Sequence, residues 1–318
     1  MNEVKFDRSI RELTRKINEV KETADNLDGS KISGNVHDLQ EKAKRLEEDY
    51  YLKGDRWMKV EISRHEKRPQ MLDYISHIFD GFLELKGDRA YSDDRAVIGG
   101  LSKFEGIGVM LIGNHKGRGL KERLERNFGM PHPEGYRKAI RLMRLAERFG
   151  LPLITMIDTP GAYPGVEAEK RGQSEAIASC MYTMMRLKVP IISVVLGEGG
   201  SGGALALGIS DRVLVMENAN YSVVSPEACA SILWKDRKMK RKAAEALKST
   251  AKDNLENWLI DDIVTEPLGG AHRSHKEAAD ALYGVLKKHF AEIIAMDLHE
   301  LLEQRYGRFR AIGVFTSK

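Results

Sequence analysis

Residues 197–208 read GEGGSGGALALG and follow the apolar run IISVVL at 191–196. Between 197 and 203 every position except Glu198 is Gly or Ser. Glycine lets a backbone take positive φ and lets another group approach the peptide plane. A helix that starts there offers N–H donors with no acceptor of their own, at the positive end of its dipole. Such a place suits a phosphate or an oxyanion. Gly197, Gly199 and Gly202 also satisfy G-x-G-x-x-G, with Glu217 about 20 residues on, as in a dinucleotide site. That unit would be short, only 27 residues from Ile191 to Glu217, and its helix would contain Gly208. Asp158 to Gly161 match the Asp-x-x-Gly of GTPases, but no G-x-x-x-x-G-K-[ST] exists to cradle a β-phosphate. An oxyanion hole for acyl or carboxyl chemistry needs only paired N–H groups, and the loop contains no His, Lys or Asp. Tight packing of a strand on a helix would use the same glycines.

Two more strands run into Gly-rich segments, VMLIGNHKGRG (109–119) and ITMIDTPGAYPG (154–165). With ISVVLGEGGSGG (192–203) their starts lie about 40 residues apart, the span of a strand–loop–helix unit. Strand ends of α/β folds are where such loops gather into sites.

The elements that position these loops are legible in outline. Strands are expected at AVIGGL (96–101), VMLIG (109–113), LITMI (153–157), IISVVL (191–196) and RVLVM (212–216). Between them, Ala139, Leu142, Met143, Ala146 and Phe149 recur at helical spacing, with Gly150 as the C-terminal cap. Ile177, Cys180, Met181, Met184 and Leu187 do the same, and Ala278, Leu282, Val285, Leu286 and His289 share one face in the helical region 275–305. Alternating strands and helices predict an α/β fold. Residues 1–55 differ: apolar residues from Ile10 to Leu27 and from Val36 to Tyr50 keep 3–4 spacing around the break LDGSKISGN, a coiled-coil-like helical hairpin.

The totals bound the class. The 318 residues are 42% hydrophobic and 31% charged, with net charge +4, which suits a soluble globular protein and gives little reason to expect nucleic acid. Two Cys without a CxxC pair argue against a disulfide framework or a zinc site, and no signal peptide or membrane-length apolar run is seen. The expected location is the cytoplasm.

Several long segments go beyond generic pattern. LDYI (72–75), GDRAYSDDRAVIGG (87–100), RNFGMPHPEGYRKAIRLM (126–143), IDTPGAYPGVEAEKRGQSEAIA (157–178), GEGGSGGALALG, YSVVSPEACASILWK (221–235) and EPLGGAHR (266–273) occur in that order. Together they resemble the α subunits of bacterial acetyl-CoA carboxylase carboxyltransferase, from the N-terminal helices to about residue 290. The resemblance implies a crotonase-like ββα spiral core with C-terminal helices, and a chain divided into a helical region 1–60 and a carboxyltransferase domain 61–318. It implies carboxyl transfer from carboxybiotin, on the biotin carboxyl carrier protein that biotin carboxylase loads, to acetyl-CoA, giving malonyl-CoA for fatty acid synthesis. It implies an α₂β₂ assembly with the site at the α–β contact, and zinc in the β subunit rather than in this chain. It assigns the backbone N–H groups of Gly202 and Gly203 to an oxyanion hole for carboxybiotin, with Gly199, Gly200, Ser201, Gly161 and Ala162 around the substrate. Such a hole needs no protein base, which suits a loop so poor in titratable groups. Gly202→Val is then expected to abolish transfer and leave the fold intact.

Other residues carry two readings. Gly161 and Ala162 are a pocket wall or a Pro-Gly turn set by chain direction alone. Asp158 reads as an acceptor that organises its loop. Arg118, Lys121, Arg123 and Arg126 could steer CoA phosphates or a carrier, but Glu122 and Glu125 between them read as a solvated helix face. GNHKG (113–117) stands where many family members have GHQKG, so His115 is given no role. The basic stretch 235–252 reads as a protein contact or plain surface, and Ala228, where the family usually has Gly, as a harmless methyl.

Overall fold

A computed structural model describes residues 54–313 together with Arg15, Glu19, Glu41, Lys44, Arg45 and Tyr51. The helical hairpin expected over residues 1–55 therefore lies outside the described residues. The first full element is helix α1 (Arg56–Ser63), begun by the Asp55 side chain, which accepts from the Met58 N–H. It crosses the division drawn at residue 60 and buries Trp57, Met58, Val60 and Ile62.

Helix α2 (Met71–Ile78) leads into β1 (Asp80–Glu84), β2 (Val97–Phe104) and β3 (Ile107–Asn114). β2 and β3 form an antiparallel hairpin in register from Val97 opposite Asn114 to Phe104 opposite Ile107. Helix α3 (Gly119–Glu125) and the long α4 (Pro133–Phe149) follow, then β4 (Leu153–Thr159), α5 (Val166–Lys170), α6 (Gln173–Arg186) and β5 (Ile191–Gly200). Helix α7 (Ser201–Leu205), β6 (Arg212–Met216), β7 (Asn220–Ser222), α8 (Pro226–Trp234), α9 (Lys240–Leu247) and α10 (Ala251–Glu256) come next. β8 (Asp262–Val264), α11 (His275–Ile294) and α12 (Leu298–Arg310) end the described chain.

The sheet runs β1-β2-β3-β4-β5-β6-β8, with β7 pairing β5 off this path. From β3 to β8 neighbours are parallel. β4 is buried at every residue, as expected of a central parallel strand covered on both faces. α4 buries Ala139, Leu142, Met143 and Ala146 against β2 and β3, and Gly150 caps it at φ 63°. Phe149, expected on that face, is 64% exposed, because the helix ends there and the sheet no longer faces it. The helical region expected at 275–305 is two helices, divided where Asp297 caps α12 through the His299 and Glu300 N–H groups.

The Gly-rich segment departs most from expectation. It is not a loop. Residues 197–200 continue β5, held by β7 through Glu198 opposite Asn220 and Gly200 opposite Ser222, and α7 starts at once. The short β1, β7 and β8 carried no strong sequence pattern. At the far end of the core, Arg305 of α12 is 1% exposed. It donates to both Asp211 oxygens, at 2.7 and 2.8 Å, and to the carbonyls of Met184, Leu187 and Val189.

Candidate functional site

The C-terminal ends of parallel β3, β4 and β5 lie side by side. β5 passes directly into α7 through Ser201, which holds φ 51°, a left-handed conformation unusual for a residue with a side chain. The sharp reversal brings the first turn of α7, which contains Gly202 and Gly203, against the segment that follows β4. Helix geometry leaves donors in that turn without intrahelical acceptors. At its other end, the Leu207 carbonyl just after α7 accepts from Thr155 Oγ1 of β4 at 2.6 Å and Ser193 Oγ of β5 at 2.9 Å.

All seven residues singled out from sequence meet here. Gly199 and Gly200 end β5, Ser201 is exposed, Gly202 is half-buried and Gly203 is buried. Gly161 and Ala162 sit across the turn in the segment after β4, closed by Thr159: its Oγ1 donates to the Gly161 carbonyl at 2.7 Å and accepts from the Gly161 N–H at 3.1 Å. The approach is close. A Cβ on Gly200 would lie 2.2 Å from the Pro160 oxygen, and one on Gly203 would lie 2.5 Å from the Gly161 carbonyl carbon. These two positions are glycine because two backbones touch. Gly202 is different: a Cβ there would meet only Ile177, at an ordinary 3.6 Å, and its φ is not positive. Neither packing nor conformation demands glycine at 202.

The dinucleotide alternative does not survive this geometry. Gly197 and Gly199 lie within β5, and the helix after them has five residues.

On another side of the same strand ends opens a cavity of about 1010 Å³, lined in part by Arg64, Lys116, Asp158, Glu198 and Glu227. The glycine turn itself does not line it. A chain of ion pairs crosses it. Lys116 Nζ lies 2.7 Å from Asp158 Oδ1 and 2.8 Å from Glu198 Oε2, and Arg64 reaches Glu198 at 2.6 Å and Glu227 at 2.7 Å. Asp158 also accepts the Glu198 N–H at 2.9 Å, so it ties β4 to the strand end that precedes the turn. That is the loop-organising role expected of it. Burial alone would lower the Lys116 pKa, but Asp158 and Glu198 outweigh it and raise it. Burial would likewise raise Glu198, and Lys116 and Arg64 bring it below the usual carboxylate range. Lys116, Arg64 and Glu198 are thus each held in the charged form by their neighbours. Sequence reasoning singled out neither Lys116 nor Arg64 for any role, since the five members come from segments far apart in the chain.

The remaining residues fall into place. Arg118 pairs with Asp73 at 2.6 Å and Arg126 with Glu122 at 2.8 Å, and α3 buries none of its residues, as a solvated face should. His115 is buried, which with the Arg126 charge pushes its pKa down to about 4. In the basic stretch, Lys240 lies over the Trp57 ring, Lys242 over Trp234, and Arg241 pairs with Asp55. Ala228 is exposed in the first turn of α8. Among the described residues no group of His, Cys, Asp and Glu is placed to hold a metal ion, and no helix is long and apolar enough to cross a membrane.

Comparison with known proteins places this geometry. Solved structures with the same fold include transcarboxylase 12S with hydrolysed methylmalonyl-coenzyme A bound, at TM-score 0.55 and 21% identity over 71% of this chain and 45% of that one. The β subunit of P. aeruginosa geranyl-CoA carboxylase matches at TM-score 0.55 and 20% identity over 80% and 46%. These likenesses establish the crotonase-type fold alone. Sequence relatives go further. The acetyl-coenzyme A carboxylase carboxyl transferase subunit α of Methylococcus capsulatus is 51% identical over 98% of this chain and 96% of its own length. Those of Geobacter metallireducens, at 50% over 99% and 98%, and Thermus thermophilus, at 51% over 98% and 99%, are as similar. The model of the acetyl co-enzyme A carboxylase carboxyltransferase-like family matches residues 3–313. With a crotonase-type core and identity near half over the whole length, the chain belongs to the family of acetyl-CoA carboxylase carboxyltransferase α subunits.

Proposed function

We propose that this chain forms the carboxybiotin half of a carboxyltransferase that moves a carboxyl group from carboxybiotin, on a biotin carboxyl carrier protein, to acetyl-CoA, giving malonyl-CoA. A β subunit carrying the zinc completes an α₂β₂ enzyme in the cytoplasm, a biotin carboxylase recharges the carrier, and the product feeds fatty acid synthesis. In this reading the carboxyltransferase domain, drawn from sequence as 61–318, also takes in the start of α1 from Arg56.

The observation that carries this reading is Gly202. It is glycine where neither packing nor φ requires it, half-exposed, at the head of a helix turn. A bare Cα at that position leaves room for a planar group to reach the N–H donors of Gly202 and Gly203, so the residues fit the ureido ring. Carboxybiotin supplies the carboxyl group and a ureido oxygen that gains negative charge as that carboxyl departs. The two N–H donors hold that oxygen, and because the turn is clamped by Gly200, Gly203 and Leu207 contacts they need not reorganise. Gly199, Ser201, Gly161 and Ala162 shape the approach. No side chain of the turn moves a proton.

The test is carboxyl transfer from malonyl-CoA to free biocytin, with this chain alone and mixed with a zinc-bearing β subunit. Activity confined to the mixture, and lost in Gly202→Val with folding retained, is the expected result. A stable but inactive complex would replace the reading with a non-catalytic scaffold of the same fold.

A further inference from the structure

We propose that the pocket between the turn at residues 85–89, α4 and α6 is a second ligand site, for a phosphate-bearing anion. The pocket holds about 480 Å³ and is lined by Arg89, Arg137, Arg141 and Arg144 with Asp88, Glu175 and Ser179 among the rest. Arg137, Arg141 and Arg144 stand at i, i+4 and i+7 on α4, so one helix face presents all three.

Their charges are unequally used. Arg137 is neutralised by Asp88 at 3.1 Å and Glu134 at 3.4 Å. Arg141 has no carboxylate. Its Nε and Nη2 donate only to the carbonyls of Gly87, Leu85 and Lys86, at 2.9, 3.3 and 3.1 Å, which fixes the guanidinium in place. Arg89 donates to one carbonyl, that of Lys86. Arg144 is exposed and has no partner among the described residues.

The turn is built to hold like charges together. Arg89 sits at φ 63°, and its guanidinium nitrogen lies 2.7 Å from where a Gly87 Cβ would be. Asp88 fixes that shape by accepting the N–H groups of Ala90, Tyr91 and Ser92. A left-handed backbone at a residue with a side chain costs energy, and such strain collects at functional positions. Here it sets Arg89 beside Arg141. Burial and the Arg89 charge push the Arg141 pKa down and outweigh Asp93 and Asp88, which pull it up. Planar guanidinium groups converging on one pocket match the oxygens of a phosphate. Glu175, whose carboxylate accepts from Ser179 Oγ at 2.6 Å, opposes an anion and tunes the site.

The experiment is calorimetric titration of the full chain with inorganic pyrophosphate at low ionic strength. Arg144→Gln removes a partnerless exposed charge and leaves the fold alone; it should weaken binding about tenfold. Arg89→Gln should act in the same direction. Glu175→Gln should tighten binding about threefold, which no loss of structure would do. Added salt should weaken the wild type. Displacement of pyrophosphate by coenzyme A, with the same variant pattern, assigns the site to phosphates on the acyl carrier. Binding that coenzyme A does not displace assigns it to a free polyphosphate, and either supports the proposal. No binding at millimolar pyrophosphate, or binding indifferent to all three variants, overturns it.

Discussion

The glycine turn and the ion-paired cavity share the same strand ends and are built on opposite principles. At the turn side chains are absent where two backbones touch, and in the proposed function the working groups are main-chain N–H donors. Beside it five charged side chains, Arg64 after α1, Lys116 after β3, Asp158 of β4, Glu198 of β5 and Glu227 of α8, fix the same strands by mutual attraction. The first region can be changed with little effect on folding, except where backbones touch. The second cannot lose one member without stranding another. Chemistry and stability are thus placed next to each other in different atoms.

The sharpest way to break the contrast is Lys116→Met. It leaves Asp158 and Glu198 facing each other, both nearly buried, and should cost about 3–5 kcal/mol in denaturant unfolding. A loss below about 1 kcal/mol would mean that the pairs are held mainly by solvent. Gly203→Ala comes next. Its Cβ would press on the Gly161 carbonyl carbon at 2.5 Å, so the turn must move, and transfer should fall about 10²–10³-fold while the circular dichroism spectrum stays unchanged. Near-normal turnover would show that the donors tolerate displacement.

His115, on the charged side, should give a pH signature. Its pKa is about 4 in the fold against 6.5 as its usual value. Between those values the unfolded chain binds the extra proton, so stability falls as pH drops from 6.5 toward 4 and levels off below, by about 3 kcal/mol in all. Arg126 adds to burial in this direction, while Glu122, Asp73 and Asp158 oppose it. Chemical denaturation of His115→Gln across that range should lack this slope, and an unchanged slope would assign it to other groups. The smallest effect belongs to Gly202→Ala. The methyl meets Ile177 at 3.6 Å, so stability should change by less than about 0.5 kcal/mol. Any fall in transfer would then report crowding of the ligand alone.

The same contrast decides what sequence can reveal. The turn was legible as a place of close backbone approach because glycine recurs at neighbouring positions, and strand β4 because burial on both faces leaves a continuous apolar run. The continuation of β5 through Gly200 was not, since glycine signals a break in local terms and the partner that extends the strand, β7, is three residues long. Lys116, Arg64 and Glu227 were hidden for another reason. Lys116 and Arg64 sit in segments rich in ordinary charges, Glu227 stands as a lone charge in the first turn of α8, and only the fold brings them within 3 Å of their partners. Phe149 errs the other way: periodicity continued past the point where there was a sheet to cover.

Arg305 has a consequence in time. It satisfies Asp211 and three backbone carbonyls around the start of β5, all of them in buried residues, from within the last described helix. During synthesis those groups emerge long before their partner does. A growing chain stopped short of α12 holds an open seam between α6 and β6, and only the late arrival of one guanidinium closes it. Protease resistance of ribosome-bound chains should therefore appear abruptly once α12 has left the exit tunnel, making this arginine the clasp that times when the subunit becomes ready for a partner.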